Sequence, residues 1–344
     1  MAEHGERVTI LGSGNVGTMF AYLASQKIRD LAHYQHKIKW WVFEEILDGE
    51  KLSDIINTKH ENVKYCPGII LPTLVEACTN LEEAVEHATI VVFAIPPQYV
   101  RRLLPTIRSK LQPNVKILNV MRGVSFDAEK KTFITYSEIF KNDLNLRISV
   151  LGGAFDIENL VENQHCEATI GCKKYDTGSV FKELFETSDF KLSIVEDVAG
   201  VELCGVMNSV IALGAGVIDA LDVPATTKAA AVRLGFLEMI EFCKRFYPQI
   251  TPAVFYESCG IGDCMAQSYG GRNRRCAEVF ARTKKPWSEI ESTLLSGQKL
   301  HGSVVTKQVN DILGKNQAVQ DFPFLDAVFR VCFNGENSEI MASL

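Results

Sequence analysis

Short apolar runs alternate with helical stretches through the first half of the chain. Val8–Leu11, Ile38–Phe43, Thr89–Ile95, Val115–Val120 and Arg147–Leu151 are such runs, most of them nearly unbroken. Runs of this length and composition predict strands buried on both faces, as in parallel sheets. Val16–Gln26 reads as a helix between the first two. Strand–helix–strand repetition predicts an open, doubly wound α/β sheet, which Glu167–Cys172 and Lys191–Val195 are expected to finish. The pattern changes near Asp197, and the rest of the chain reads as helical. Val198–Val217 is long and apolar, with small residues at Gly205, Gly214, Ala215 and Gly216. It predicts a buried helix closely packed by its neighbours. Lys228–Tyr247, Pro252–Ser258, Trp287–Ser296 and Ser303–Leu313 follow as helices.

Composition narrows the choices. A chain of 344 residues, 47% of them apolar, exceeds what one core organises. Two domains are expected, residues 1–196 and 197–344. The formal net charge of −6 argues against a general nucleic-acid or membrane surface. Any anion site must then be a local basic cluster. No apolar run reaches the ~18 residues of a membrane span, and Met1–Arg7 is too short and polar for a signal peptide. Met341–Leu344 match no lipid anchor. The ten cysteines show no CxxC spacing, and Cys259 and Cys264 lack a neighbouring histidine. No metal site is expected, and the thiols read as reduced and mostly buried in a cytoplasmic protein.

Two motifs carry chemistry. Gly12-Ser13-Gly14-Asn15-Val16-Gly17 follows the first strand and opens the first helix. Its glycines suit, in order, a tight turn, close approach of backbone to pyrophosphate, and helix–strand packing. The helix N-terminus adds N–H donors and partial positive charge. Glu44 and Glu45, at the end of the second strand, are the candidate ribose-binding acids. They lie further along than the typical spacing of ~20 residues. No arginine beside them is suited to a 2′-phosphate, which favours NAD over NADP. Phe43 is read either as a platform for adenine or as a core aromatic. The second motif is Asp263 with Tyr269-Gly270-Gly271-Arg272-Asn273-Arg274-Arg275. Forked donors beside two glycines suit a small phosphate or carboxylate. A solvated charge run is the alternative.

With these pieces the chain resembles the cytosolic NAD-dependent glycerol-3-phosphate dehydrogenases of eukaryotes. The resemblance runs nearly end to end. It is carried by GSGN at 12–15, WVFEE at 41–45, INTKHENVKYCPG at 56–68 and TIGC at 169–172. TKAAAVRLGFLEM at 227–239, ESCGIGDC at 257–264, YGGRNRR at 269–275 and GQKL at 297–300 are its most specific parts. It implies an N-terminal Rossmann-type doubly wound sheet plus an all-helical C-terminal substrate domain, in a cytoplasmic homodimer. The implied reaction interconverts dihydroxyacetone phosphate and glycerol 3-phosphate with NAD. Gly12, Ser13, Gly14, Asn15, Val16 and Gly17 would hold the cofactor, together with Phe43, Tyr99, Arg272, Lys299 and His301. Arg122, Arg272 and Asn273 would bind substrate. Asn208, Asp263 and Lys228 would serve the chemistry.

The chain also departs from the family pattern it resembles. Met207 stands where the family has its acid–base lysine, and methionine neither titrates nor donates a hydrogen bond. Arg122 replaces a lysine in the turn before Gly123-Val124. Phe155 replaces an asparagine after Gly153-Ala154. Gln267 replaces a threonine and His301 a glutamine. Three readings follow: a retained dehydrogenase, a weak or silent NAD-binding paralogue, and a reductase of another small phosphorylated ketone. Lys228, Arg122, Asp263 and His301 are the candidates to replace the missing acid.

Overall fold

The central strand, β1 (Glu6–Leu11), buries Val8, Ile10 and Leu11 almost completely. An apolar run of this kind can lie only in the middle of a sheet covered on both faces. In the computed structural model, which describes residues 5–155, 157–295 and 297–344, that expectation holds. Seven more strands join it: β2 (Tyr34–Trp41), β3 (Val75–Cys78), β4 (Ile90–Phe93), β5 (Lys116–Asn119), β6 (Ser149–Gly152), β7 (Cys166–Gly171) and β8 (Phe190–Val195). Their order is 3-2-1-4-5-6-7-8, which extends the doubly wound order of dinucleotide-binding sheets. Strands β1 to β6 pair in parallel, whereas β7 runs antiparallel to β6. Both β1–β2 and β1–β4 are parallel pairs, so the C-terminal end of β1 lies where the order reverses. Ligands of open α/β sheets bind at such a point. Helix α1 (Asn15–Ile28) returns across the sheet, burying Met19, Phe20, Leu23 and Ile28.

The described residues form two compact units. One comprises residues 5–122 and 136–198, and the other 123–135 and 199–344. The short hairpin Ser125–Asp127 and Thr132–Ile134 thus belongs with the helices rather than the large sheet. Phe133 explains this. It stacks on Tyr247 with ring centroids 6.4 Å apart, and its N–H donates to the Tyr247 hydroxyl at 2.9 Å.

The helical unit is built on α2 (Val198–Asp219), where Val206, Met207, Val210 and Ile211 are wholly buried. By composition this helix could cross a membrane, but it lies buried within the protein. Around it come α3 (Ala225–Phe246), α4 (Asp263–Gly270), α5 (Arg272–Thr283), α6 (Trp287–Leu294), α7 (His301–Lys315) and α8 (Pro323–Phe333). The expected helix Pro252–Ser258 is instead a 3-10 turn, Pro252–Tyr256, followed by a π-helical turn, Ser258–Gly262. Gly260 makes this turn possible, because a Cβ there would sit 2.2 Å from the Phe255 carbonyl oxygen. Ser296, the expected end of the helix from Trp287, lies outside the described residues, as does the start of Met1–Arg7. None of the ten cysteines is in a disulfide. Burial pushes the Cys264 and Cys332 thiols up to about 12.

Candidate functional site

In the first unit, the turn after β1 is fixed by close packing. Gly12 has φ +120, and a Cβ there would meet the Ala94 carbonyl oxygen at 2.3 Å. A Cβ on Gly17 would come within 1.9 Å of the Gly12 oxygen. Both positions therefore exclude side chains. A Cβ on Gly14 meets nothing within 4 Å, so the turn is open there. Helix α1 begins under this opening with no side-chain cap from Gly14. An open glycine at a helix N-terminus is the arrangement a pyrophosphate fits. Ser13 is buried beneath the turn, and Asn15 folds its Oδ1 onto the Val16 N–H at 2.9 Å.

Side chains from outside the motif hold the turn. Trp40 Nε1 donates to the Gly12 oxygen at 2.7 Å. The wholly buried Asn62 donates to the Ser13 oxygen at 2.9 Å and to Thr18 Oγ1 at 2.8 Å. Thr18 in turn donates to the Gly14 oxygen at 2.9 Å. Neither Trp40 nor Asn62 was signalled as a site residue by sequence. Asn62 lies within the family-like stretch at 56–68, but nothing in its spacing points to the turn.

Both ribose-acid candidates already have partners. Glu44 Oε2 accepts from the Ser53 hydroxyl at 2.7 Å. Glu45 pairs with Lys64 and accepts from the Tyr65 hydroxyl at 2.8 Å. Burial opposes charge on Glu45, but Lys64 and Tyr65 outweigh it and hold the carboxyl below its usual range. Phe43 is 66% exposed and Tyr99 47%, so both are surface aromatics rather than core residues. Arg122 Nη2 donates to the Gly153 oxygen at 3.1 Å. Phe155 does not project freely: it is half-buried and packs on Phe190 with centroids 5.5 Å apart.

In the helical unit, Asn208 is wholly buried on α2. Its Nδ2 faces three acceptors: the Cys259 and Gly260 carbonyls, each at 3.1 Å, and Asp263 Oδ2 at 3.2 Å. That contact set fixes the amide orientation, since the reverse one would oppose oxygen to oxygen. Oδ1 is thereby turned away from them, buried and without a hydrogen-bond partner. Buried acceptors are rarely left unsatisfied, so this oxygen marks a place for a donor. Met207, one residue earlier, is also wholly buried.

The same network continues outward. Gln267 Nε2 donates to Asp263 Oδ2 at 2.6 Å, and Asn273 Nδ2 donates to Gln267 Oε1 at 3.4 Å. Asn273 Oδ1 accepts the Gly302 N–H at 3.0 Å. Helices α2, α4, α5 and α7 are thus tied together by three amides and a carboxylate. Arg272 opens α5, whose N-terminus has no side-chain cap. Among the described residues its guanidinium makes no hydrogen bond or ion pair. A free guanidinium at a helix N-terminus is a phosphate receptor in both charge and geometry.

Lys228 and Lys299, two further candidate cations of this unit, are committed. Lys228 Nζ lies 2.7 Å from Asp219, which Arg274 Nε shares at 2.5 Å. Lys228 also lies over the Tyr269 ring, so it joins an ion-pair cluster rather than the Asn208–Asp263 chain. Lys299 pairs with Glu291 at 2.8 Å, although its side chain is 76% exposed. Burial opposes the Glu291 charge, yet the Leu300 N–H and Lys299 outweigh it and keep the carboxyl low. Glu291, unmarked in the sequence, therefore anchors the turn that delivers His301. His301 begins α7, and its Nε2 lies 3.1 Å from where a Cβ on Gly123 would stand. Gly123 has φ +118, so the turn after Arg122 accepts that imidazole only with glycine.

Comparison with known proteins agrees with this layout. Residues 7–178 match the family described as NAD-dependent glycerol-3-phosphate dehydrogenase N-terminus, and residues 197–343 match its C-terminus. The human glycerol-3-phosphate dehydrogenase 1-like protein is 40% identical over 338 residues, covering 98% of this chain and 96% of that protein. The rat cytoplasmic glycerol-3-phosphate dehydrogenase [NAD(+)] is 39% identical, covering 96% and 95%. Among solved structures, glycerol-3-phosphate dehydrogenase from Saccharomyces cerevisiae superposes with a TM-score of 0.92 at 31% identity, covering 98% and 99%. The Plasmodium falciparum enzyme gives 0.94 at 29%, covering 99% and 95%. A glycine cradle at the sheet's switch point, a separate helical unit, and two family matches spanning nearly the whole length together place this chain in the NAD-dependent glycerol-3-phosphate dehydrogenase family.

Proposed function

We propose that this chain interconverts dihydroxyacetone phosphate and glycerol 3-phosphate, working slowly for want of an ionisable group at Met207. The observation that carries the reading lies in the helical unit, where the Asn208 oxygen is partnerless and hydrogen bonds run from Asn208 through Asp263 and Gln267 to Asn273, the neighbour of an Arg272 with no hydrogen bond or ion pair among the described residues. The arginine suits a phosphate and the oxygen a hydroxyl donor, the two kinds of group this substrate carries. NAD(H), when bound, supplies or takes the hydride at carbon 2. Gly12 to Gly17 present backbone N–H groups to its pyrophosphate, with Phe43 and Tyr99 as aromatic surfaces and Lys299 and His301 as polar contacts. Arg272 and Asn273 hold the substrate phosphate, with Arg122 as a further cation. Asn208 and Asp263 orient the reacting end. Lys228 acts at a distance by holding Asp219 and Arg274 in place.

Reduction also requires a proton on the carbonyl oxygen, and a positioned acid contributes about 10²–10⁴-fold. Met207 cannot provide it, so slow turnover is the expected signature. Complete burial of Met207 supports a second reading, a paralogue that binds NAD without using it. The decisive experiment is NADH oxidation by purified protein with dihydroxyacetone phosphate, beside a Gly14→Asp control. Saturable turnover above the control supports the first reading; NADH binding without turnover supports the second. We also propose cytoplasmic residence, as in the name of the cytoplasmic rat relative, and a homodimer, which light scattering in solution would test.

A further inference from the structure

Asp263 is only 2% exposed, and a carboxylate withdrawn from water needs donors. Asn208 at 3.2 Å and Gln267 at 2.6 Å are among those that reach its Oδ2. With Met207 next to Asn208, helix α2 offers this carboxylate an amide but no ammonium. Gln267 lies four residues beyond Asp263 on α4, the spacing that brings side chains together on one helical face. Its far end reaches across Gly270-Gly271 to Asn273 on α5. A Cβ on Gly271 would lie 2.9 Å from the Gln267 backbone oxygen, so the turn is as close to Gln267 as atoms permit. A threonine hydroxyl here has one hydrogen, commonly spent on the carbonyl four residues back. The glutamine amide donates to one neighbour and accepts from another.

We propose that Gln267 is a positioning residue that locks the Asp263 carboxylate to the Asn273 amide, so that the phosphate-binding end and the reacting end are held in one register. The assignment of those two ends rests on the function proposed above; the lock itself rests on the hydrogen bonds. Gln267→Met keeps the side-chain length and removes both bonds. Gln267→Glu keeps the shape but replaces the donor to Asp263 with a second carboxylate.

The test combines kinetics with side-chain amide exchange measured by NMR in the full-length protein. In Gln267→Met, kcat with dihydroxyacetone phosphate should fall about 10–100-fold, the range of a hydrogen bond to a charged group. KM should rise, while NADH affinity and the unfolding midpoint stay near wild type. Gln267→Glu should lose at least as much. Exchange of the Asn208 and Asn273 side-chain amides should accelerate at least about tenfold. A KM effect with kcat intact would overturn the lock, because Gln267 would then serve Asn273 alone. Equal losses in stability, NADH binding and turnover would reduce Gln267 to a packing residue and also overturn it. If the wild type itself turns over no dihydroxyacetone phosphate, the function reading fails. The exchange measurement then decides the lock by itself: unchanged exchange rejects it and faster exchange sustains it.

Discussion

The glycine-rich turn and the amide network of the helical unit are built on opposite principles. The turn is specified by exclusion, since Gly12 and Gly17 leave no room for a side chain. The network is specified by contact: Asn208, Asp263, Gln267 and Asn273 each need a partner that other helices deliver. Exclusion is intolerant of any substitution. A contact network accepts replacements that re-pair its donors and acceptors, and the departures Met207 and Gln267 fall in or beside it. The difference suggests that such a site diverges in its chemistry while its cofactor cradle stays fixed.

The sharpest way to break this contrast is at the turn. Gly17→Ala should prevent stable folding of the first unit, because its new methyl overlaps the Gly12 carbonyl. Gly14→Asp should fold normally, since its Cβ enters open space, yet lose NADH binding by roughly 10³-fold or more by placing an anion at an anion site. Thermal melts and NADH fluorescence titration separate the two outcomes. If Gly14→Asp binds NADH normally, the open glycine does not mark the pyrophosphate site.

In the network the largest effect should be a gain. Met207→Lys restores a titratable group beside Asn208 and should raise kcat by about 10²-fold or more. Burying an ammonium should at the same time lower the unfolding midpoint. An unchanged kcat would show that proton supply does not limit this protein. Arg272→Ala should raise KM for dihydroxyacetone phosphate by roughly 10–100-fold, the worth of a lost charge-assisted hydrogen bond, with NADH affinity less affected. Loss of NADH affinity with an unaltered KM would reassign this arginine to the cofactor alone.

The two principles differ also in what the sequence discloses. Apolar runs mark β1, β4, β5 and β6 because burial on both faces demands them, whereas β2 buries alternate residues and is marked only at its apolar end. The strand Val75–Cys78 escapes notice, being four residues long with a charged Glu76 in its middle. The reversed direction of β7 leaves no mark either, since an apolar strand reads alike in parallel and antiparallel pairing. The glycine turn is legible because its constraint lies within six consecutive residues. Asn62 is not, because its bonds to Ser13 and Thr18 span 49 and 44 residues. Glu291 pairs at shorter range, with Lys299 and Leu300, but an acid on a helix ordinarily reads as surface. Gln267 is visible as a departure from the resembled family, but its two bonds require α4 and α5 to be folded first. Asn62→Ala therefore probes a part of the turn that only the fold reveals. It should weaken NADH binding by about tenfold, the worth of one or two buried hydrogen bonds.

The smallest effect should separate stability from catalysis within the helical unit. Glu238 on α3 is 5% exposed, and its two oxygens accept the Phe324 and Leu325 N–H groups, at 2.8 and 3.0 Å, at the start of α8. Burial pushes its carboxyl up from 4.5 to about 7. The two N–H groups pull the other way, and Asp326 adds to the rise. The folded protein therefore holds this proton more tightly than the unfolded chain does. The resulting stabilisation is complete below the unfolded value and is lost as the pH rises through about 7. Across pH 6 to 8 the loss should be roughly 1 kcal/mol. Glu238→Gln keeps a neutral acceptor at both pH values, so the difference between urea-unfolding free energies at about pH 6 and pH 8 should shrink by that amount. Because Glu238 belongs to neither the turn nor the amide network, kcat should be unmoved. A wild-type slope that survives Glu238→Gln would assign the titration to another group, and a fall in kcat would show that the α3–α8 contact reaches the network after all.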